Sequence, residues 1–151
     1  VAVFNLKIML EVKFKKLVEE AEIPAYAKPG DAGLDLKAVS KHWSDDFKCW
    51  IYGTGLAVEI PEGYVGLVFP RSSVRKYGIS LTNCVGVIDS GYRGEIMATY
   101  RPQSVGTGVE YKVGDHVCQL IIMAYPTVIP VETIELSDTE RGEGGHGSTR
   151  V

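Results

Sequence analysis

The stretch TGLAVEIPEGYVGLVFPRSS, from Thr54 to Ser73, alternates apolar residues with smaller or polar ones on both sides of a turn. The alternating apolar residues are Leu56, Val58 and Ile60 before the turn and Val65, Leu67 and Phe69 after it. A period of two is typical of a strand with one buried face, and the proline and glycine between the two runs favour a turn. The stretch therefore predicts a β-hairpin whose second strand ends at Pro70.

Similar short runs continue along the chain. The segment LEVKFKKL, residues 10–17, alternates in the same way and predicts a strand, although KKLVEEAE, residues 15–22, could instead begin a helix. Further strand candidates are GISLTN (78–83), VGVID (85–89), GEIMATYR (94–101), HVCQLIIMAY (116–125) and TVIPVETI (127–134). At most one helical turn is expected, around Ser73 to Tyr77, with a Ser cap and a Gly stop. Strands separated at this spacing by Gly, Pro or Asp are typical of sandwiches and barrels, so we expect an all-β domain.

Composition limits what this domain can be. With 151 residues, 45% hydrophobic, the chain is expected to form one domain, residues 1–151, that buries on the order of 70% of its unfolded surface. A net charge of -3 argues against broad binding to nucleic acid or to a membrane surface.

The three cysteines, Cys49, Cys84 and Cys118, include no C-x-x-C pair, so neither a disulfide framework nor a zinc site is indicated. A reducing compartment fits best; we expect the cytoplasm, with a nuclear location or a viral origin left open. The apolar start VAVFNLKIML is too short to cross a bilayer, and we identify no targeting signal.

The chain ends in a polar, glycine-rich segment, RGEGGHGSTR, residues 141–150. Glycines allow close approach to a ligand, while hydroxyls, peptide N–H groups and guanidinium groups all donate hydrogen bonds to phosphate oxygens. A P-loop is excluded, because Ser148 stands where the lysine should be and no helix can follow. An unstructured end is the alternative for such a terminus. We interpret residues 137–151 as a flexible C-terminal arm that binds phosphate and closes over an active site.

Four other segments carry polar residues suited to the same chemistry. They are DAGLDL with Asp31 and Asp35, PRSS with Arg71, Ser72 and Ser73, GVIDSGYRGE with Asp89, Tyr92 and Arg93, and KVGDHVCQLII with Gln119. Each alone is weak evidence, because such an Asp is more often a turn residue, such an Arg a surface ion pair and such a Gln a satisfied core amide. Their order along the chain is the specific feature.

In that order the segments DAGLDLKA, PRSSVRKYGI, GVIDSGYRGEI, KVGDHVCQLII and RGEGGHGSTR resemble the five motifs of the trimeric dUTP pyrophosphatases (dUTPases). The resemblance covers nearly the whole chain. It implies a distorted jelly-roll (β-clip) fold and a homotrimer in which each of three active sites uses motifs from all three subunits. It also implies Mg²⁺-dependent hydrolysis of dUTP to dUMP and pyrophosphate, which limits uracil incorporation into DNA and supplies dUMP for thymidylate synthesis.

The resemblance also implies roles for individual residues. Asp89 would be the general base that activates the water attacking the α-phosphorus, and Asp35 the acidic residue near that water network, oriented by Arg141. Asp31 matches less well. The remaining contacts implied on the phosphate side and in the arm are Arg71, Ser72, Ser73, Gln119, Arg141, Gly147, Ser148 and Thr149. Mg²⁺ would be held through the triphosphate and its waters, with no direct protein ligand.

Uracil recognition is assigned by resemblance to LTNCVGVIDSGY, residues 81–92, as a hairpin. The side chain of Asn83 and the backbone around Gly86 and Val87 would pair with the uracil edge, and Tyr92 would pack beneath the deoxyribose and exclude a 2′-hydroxyl. Met97 would line the same pocket; ordinary strand packing is the alternative for Tyr92 and Met97. The arm departs from the family where His146 replaces the usual Phe that stacks on uracil.

Two other functions compete with this interpretation. A dCTP deaminase shares the fold and a similar RSS segment, but its catalytic Glu would align near Thr99, where no acid stands. A non-catalytic, regulatory protein could bind dUTP or a protein partner through the same scaffold. The complete motif set favours the enzyme.

Overall fold

The computed structural model describes residues 9–104 and 109–145. Over these residues the chain forms nine β-strands and one short 3₁₀-helix, Ser72–Lys76. The strands are β1 (Lys13–Lys16), β2 (Leu34–Lys37), β3 (Ser40–Ser44), β4 (Cys49–Glu59), β5 (Tyr64–Phe69), β6 (Ile79–Leu81), β7 (Gly86–Ile88), β8 (Glu95–Pro102) and β9 (His116–Ala124). The prediction of an all-β domain is confirmed.

The strands form two antiparallel sheets. The first has the order β1-β4-β8-β6, with β3 also paired to β4, and the second has the order β2-β9-β5-β7. Side chains from both sheets form one buried cluster, including Leu36 and Leu120 from the second sheet and Tyr52, Ile96 and Tyr100 from the first. No helix within 9–104 and 109–145 has the length and apolar character needed to cross a membrane.

The predicted hairpin between β4 and β5 is wrong. The turn forms, with the Tyr64 N–H donating to the Pro61 carbonyl at 3.2 Å, but β4 pairs in the first sheet and β5 in the second. The turn therefore connects the two layers. An alternating pattern identifies a strand but does not say which strand it pairs with. In addition, β4 is buried on both faces from Tyr52 to Val58, as expected for a strand inside the fold.

Strand β4 pairs with β1, β3 and β8, and it contains a β-bulge. Its register with β8 shifts between Gly53 and Ala57, and Gly55 there has φ +65°. A Cβ at Gly55 would lie only 2.6 Å from Cγ2 of Val18, so this position needs glycine for both its conformation and its space.

The other sequence predictions had mixed outcomes. A strand within residues 10–17 is confirmed as β1, so the helical alternative is wrong, and the candidates that contain β6, β7, β8 and β9 are confirmed. The strand predicted at 127–134 is wrong, because no strand forms there. The helical turn after Arg71 is confirmed as a 3₁₀-helix, but the Ser cap is wrong because Arg71 is the N-cap and no side chain caps it. The sequence interpretation missed β2, β3 and the first half of β4.

Candidate active site

Two of the predicted residues face each other across the second sheet. Asp35 on β2 lies directly opposite Gln119 on β9, and Gln119 lies opposite Phe69, the last residue of β5. Cross-strand partners project to the same side of a sheet, so the carboxylate and the amide are neighbours. Arg71 follows two residues after Phe69, which brings its side chain to the same end of the sheet.

Arg71 binds Asp35 with both ends of its guanidinium fork. Nε donates to Oδ1 and Nη2 to Oδ2, each at 2.8 Å. The two side chains are partly buried, with 32% and 26% of their surface exposed. Two parallel charge-assisted hydrogen bonds fix the plane of the guanidinium as well as its position. Arg71 also lies 3.5 Å from the His116 carbonyl through Nη1, at the limit of a hydrogen bond.

The Gln119 amide is held by its surroundings. Its Nε2 donates to the Pro70 carbonyl at 3.0 Å, which ties β9 to the segment that leads into Arg71. Gly33 packs against the other side: a methyl group at Gly33 would overlap Oε1 of Gln119 and lie 3.2 Å from its Cδ. The glycine of the first motif therefore makes room for the glutamine of the fourth.

The two serines after Arg71 differ in exposure. Ser72 is exposed, whereas Ser73 is half-buried and its hydroxyl lies 3.3 Å from the hydroxyl of Tyr111. Sequence reasoning missed Tyr111. It stands 38 residues from Ser73, and nothing in its local pattern marks it as a neighbour of the PRSS segment.

A second group of predicted residues surrounds the turn after β7. Asp89 is exposed, and its carbonyl accepts from the Tyr92 N–H at 3.0 Å. The Tyr92 hydroxyl donates to the Glu95 carbonyl at 2.9 Å, which folds its ring over Gly94. Arg93 donates to the carbonyls of Ser90 and Tyr92 at 2.6 and 2.9 Å and so braces the turn. Met97, on β8, is 49% exposed.

The hairpin expected over residues 81–92 is wrong, because its two strands do not pair with each other. β6 pairs with β8 in the first sheet and β7 pairs with β5 in the second, so the segment around Asn83 is a turn between layers. The turn is narrow: Val85 N–H donates to the Asn83 carbonyl at 2.6 Å, and Cys84 adopts φ +61°. Gly86 lies close to β5, since a Cβ there would be 3.1 Å from Cβ of Val68.

Within one chain Asp89 is far from Arg71. Ile88 lies opposite Gly66 near the beginning of β5, whereas Arg71 follows the other end of that strand. Five residues of extended chain separate Gly66 from Arg71, about 17 Å at the usual rise per residue. The chain therefore brings together Asp35, Arg71 and Gln119 but leaves Asp89 and Tyr92 at the opposite end of β5.

The expectation that Arg141 orients Asp35 stays a prediction, because the resemblance implies that one site takes its motifs from three subunits. Asp35 is bound by Arg71, and Nε of Arg141 donates instead to the Gly144 carbonyl at 3.0 Å in a local turn. Asp31 is an exposed turn residue whose carboxylate accepts from the Lys28 N–H at 2.9 Å. Four predicted arm contacts, His146, Gly147, Ser148 and Thr149, lie outside the described residues.

The donor set does not form a protein-only metal cage. Within residues 9–104 and 109–145, no group of three or more His, Cys, Asp or Glu side chains is arranged to hold a metal ion. Cys118, which precedes Gln119 on β9, is buried, and this burial raises the pKa of its thiol to about 12. A neutral thiol at this depth offers neither a metal ligand nor a nucleophile at neutral pH.

Comparison with known proteins shows the family. The dUTPase family model matches residues 19–150. The chain is 40% identical to a deoxyuridine 5′-triphosphate nucleotidohydrolase of Clostridium kluyveri, over 93% of this chain and 98% of that protein. It is 36% identical to the protein of the same name from Rhodococcus erythropolis, over 93% of this chain and 86% of the relative.

Solved structures show the same fold. The dUTPase of Staphylococcus bacteriophage 80alpha, solved with dUPNHPP, is 26% identical with a TM-score of 0.75, over 95% of this chain and 100% of that one. A mutant dUTPase from phage phi11 of S. aureus, which coordinates a structural Mg(II) ion, is 23% identical with a TM-score of 0.70, over 83% of this chain and 98% of that one. The expected dUTPase-like jelly-roll fold is thereby confirmed. Because the family model spans most of the sequence and these relatives match over nine-tenths of it, the chain belongs to the dUTPase family.

Proposed function

We propose that this protein hydrolyses dUTP to dUMP and pyrophosphate, by attack of water on the α-phosphorus in a Mg²⁺-dependent reaction. The observation that carries the proposal is the arrangement of Arg71, Asp35 and Gln119 at one end of the second sheet, in a chain that belongs to the dUTPase family. In a cell this activity would limit uracil incorporation into DNA and supply dUMP. With three cysteines outside any disulfide framework, we expect the protein to work in the cytoplasm.

The phosphate side of the site would use donors that are already oriented. Arg71 is partly exposed and fixed in plane, Ser72 is exposed beside it, and the Gln119 amide is anchored to the Pro70 carbonyl. Phosphoryl transfer depends mainly on alignment and on stabilising charge, so fixed donors are what the reaction needs. Ser73 would contribute from the same 3₁₀-helix.

Asp89 would orient and activate the attacking water. Its carboxylate is exposed, and the hydrogen bond from Tyr92 to its carbonyl holds the turn that presents it. A carboxylate is a weak base at neutral pH, so positioning of the water would contribute more to the rate than proton affinity.

These residues are suited to Mg²⁺ that enters the site bound to the triphosphate of the nucleotide. Mg²⁺ keeps several waters and is commonly bound by substrate phosphates with one or two carboxylates. When bound, it would neutralise charge on the triphosphate. Asp35 would contact the water network around the Mg²⁺ ion. The salt bridge between Asp35 and Arg71 limits how far the carboxylate can move.

A homotrimer would complete the site. Asp89 and Arg71 lie at opposite ends of β5 in one chain, which supports a site that takes them from different subunits. The segment after β9 also presents apolar side chains to solvent, with Ile129, Val131, Ile134 and Leu136 each at least 80% exposed. Such a surface is typical of a subunit interface. The arm, residues 137–151, would close over the site, with Arg141, Gly147, Ser148 and Thr149 on the phosphates and His146 stacked on the base.

Base recognition would come from the turn at Asn83. Backbone groups around Gly86 and Val87 present fixed donors and acceptors, and cytosine would leave them unmatched. Tyr92 would pack under the deoxyribose, where its ring is fixed by the bond to the Glu95 carbonyl, and Met97 would line the pocket.

The direct test is substrate conversion. The protein is incubated with Mg²⁺ and separately with dUTP, dTTP, dCTP or UTP, and pyrophosphate and nucleoside monophosphate are measured together. We expect selective formation of dUMP, lost in Asp89→Asn. Tight dUTP binding without turnover would instead favour a regulatory protein, and ammonia release from dCTP would favour a deaminase.

Sharing of the site between subunits is tested by mixing. Asp89→Asn and Arg71→Gln chains, each of which we expect to be inactive alone, are denatured together and refolded. If one site takes these residues from two subunits of a randomly mixed trimer, about a quarter of the sites should regain both. Each variant refolded alone is the control, and no recovery in the mixture would contradict the shared site.

A further inference from the structure

Tyr111 contacts both ends of the helix that follows Arg71. Its hydroxyl lies 3.3 Å from Oγ of Ser73, and its ring packs at a tilt against that of Tyr77 with centroids 4.2 Å apart. Ser73 is the second residue of the 3₁₀-helix and Tyr77 is its C-cap. One side chain therefore touches the beginning and the end of the same short element.

Within this helix Val74 packs against the hydrophobic core, whereas Arg75 and Lys76 are exposed. No residue within it is buried, and its N-terminus has no side-chain cap. Its backbone bonds include Val74 N–H to the Arg71 carbonyl and Tyr77 N–H to the Val74 carbonyl, each 2.9 Å. A 3₁₀-helix of this length has poor hydrogen-bond geometry and depends on tertiary contacts for a single conformation.

Tyr111 is itself firmly held. It is 1% exposed, and its carbonyl accepts from the Tyr52 hydroxyl at 3.0 Å. Its ring also packs against Tyr52 and Tyr100, with centroids 6.1 and 5.5 Å away. The tyrosine is thus a rigid part of the core that reaches the surface helix.

We propose that Tyr111 is a positioning residue for the phosphate-binding segment: through Ser73 and Tyr77 it fixes the helix that orients Arg71 and Ser72. The inference rests on the proposed function, which assigns phosphate contacts to Arg71 and Ser72. Tyr111 touches no substrate in this role. It lowers the entropy lost when Arg71 and Ser72 bind phosphate, because the helix that carries them is fixed before the nucleotide binds.

The electrostatics of the site agree with a neutral hydroxyl in this role. Burial raises the pKa of Tyr111, while its hydrogen bond to Ser73 and the nearby positive charge of Arg71 act in the opposite direction. The phenol therefore keeps its proton throughout the neutral range and can donate to Ser73.

Tyr111→Phe tests the proposal, because it removes the hydroxyl and keeps the ring. Tyr100→Phe is the matched control: it also removes a buried hydroxyl, which donates to the Val117 carbonyl at 2.7 Å, without touching the helix. Two properties are measured in both variants: hydrogen exchange at the amides of Val74 and Tyr77, and kcat and KM for dUTP.

We expect Tyr111→Phe to speed local exchange at these amides by about 3- to 10-fold, the effect of one lost hydrogen bond, and to lower kcat/KM by a similar factor. In Ser73→Ala the same hydroxyl pair is broken, so adding Tyr111→Phe should cost little more. Equal behaviour of Tyr111→Phe and Tyr100→Phe would overturn the proposal, as would faster exchange with unchanged kinetics. Failure of the wild-type chain to cleave dUTP is a separate result that refutes the proposed function.

Discussion

The Asp35 carboxylate accepts two hydrogen bonds from the Arg71 guanidinium, one at each oxygen and each 2.8 Å long. Because the pair is partly buried and bidentate, we expect Asp35→Asn to lower the free energy of unfolding by about 1 kcal/mol. Urea unfolding measures this. Glu59→Gln is the control, since it removes exposed ion pairs with Lys13 and, at 4.0 Å, with Arg93, which should matter little. An equal effect of the two substitutions would contradict the structural importance of the Asp35 pair.

Gly33→Ala should act through Gln119. The new methyl group overlaps the Gln119 side-chain oxygen, so the amide must move and its hydrogen bond to the Pro70 carbonyl is lost. We expect a loss of about 1 kcal/mol in unfolding free energy together with a lower kcat/KM for dUTP. The control is Gly33→Ala in a chain that also carries Gln119→Ala, because the new methyl group then has no glutamine side chain to overlap. If Gly33→Ala destabilises both backgrounds equally, the effect does not arise from the glutamine.

Much of the fold could be predicted from apolar patterns. The long apolar runs of β8 and β9 are bounded by glycine or aspartate and were identified, whereas β2 and β3 are short and rich in polar residues and were missed. The β4–β5 turn was predicted correctly but its pairing was not, because alternation carries no information about which sheet a strand joins. Residues 127–134 have strand-forming side chains, but Pro130 lacks an N–H and the described chain offers no neighbouring strand.

The candidate site residues were chosen by motif order and not by local chemistry, and their roles stay predictions. Asp35, Arg71 and Gln119 do meet, as the order of their motifs implies, because β2, β9 and β5 are adjacent. The contact between Ser73 and Tyr111 could not be predicted, since it depends on how a loop packs beneath a surface helix. Arg141 was assigned to Asp35 from the resemblance, and this stays a prediction because the arm would come from another subunit; within one chain the Asp35 carboxylate binds Arg71.

Gly94→Ala should displace the ring of Tyr92. A methyl group at this position overlaps the Tyr92 hydroxyl and lies 2.6 Å from Cζ, so the hydroxyl must release the Glu95 carbonyl. If Tyr92 excludes a 2′-hydroxyl, cleavage of UTP relative to dUTP should rise. Gly91→Ala is the control, because a methyl group there meets no atom of the described residues within 4 Å. Unchanged selectivity in Gly94→Ala would show that Tyr92 does not discriminate the sugar.

Cys84 adopts a backbone conformation that disfavours most side chains. Its φ of +61° lies in the left-handed region, and its side chain is exposed. We expect Cys84→Val to lower the unfolding free energy by about 1–2 kcal/mol, because a β-branched residue is strained there. Cys84→Asn should be tolerated or slightly stabilising, and Cys84→Ser should be neutral. Thermal unfolding of the three variants gives the order, and equal stability of the Val and Asn variants would refute strain at this turn.

Stability should fall as the pH rises above about 8.5, the ordinary pKa of a cysteine thiol. Burial raises the pKa of the Cys118 thiol to about 12 in the folded chain, so the unfolded chain loses its proton first. Stability from this group is fully present below the unfolded pKa and is lost as the pH rises towards the folded one, about 1–2 kcal/mol by pH 10. Burial also raises the pKa of Tyr52 and Tyr100, which extends the loss to higher pH. Urea unfolding at pH 8, 9 and 10 should show a steeper decline for the wild-type chain than for Cys118→Ala, and parallel curves would mean that the thiol is not the group responsible.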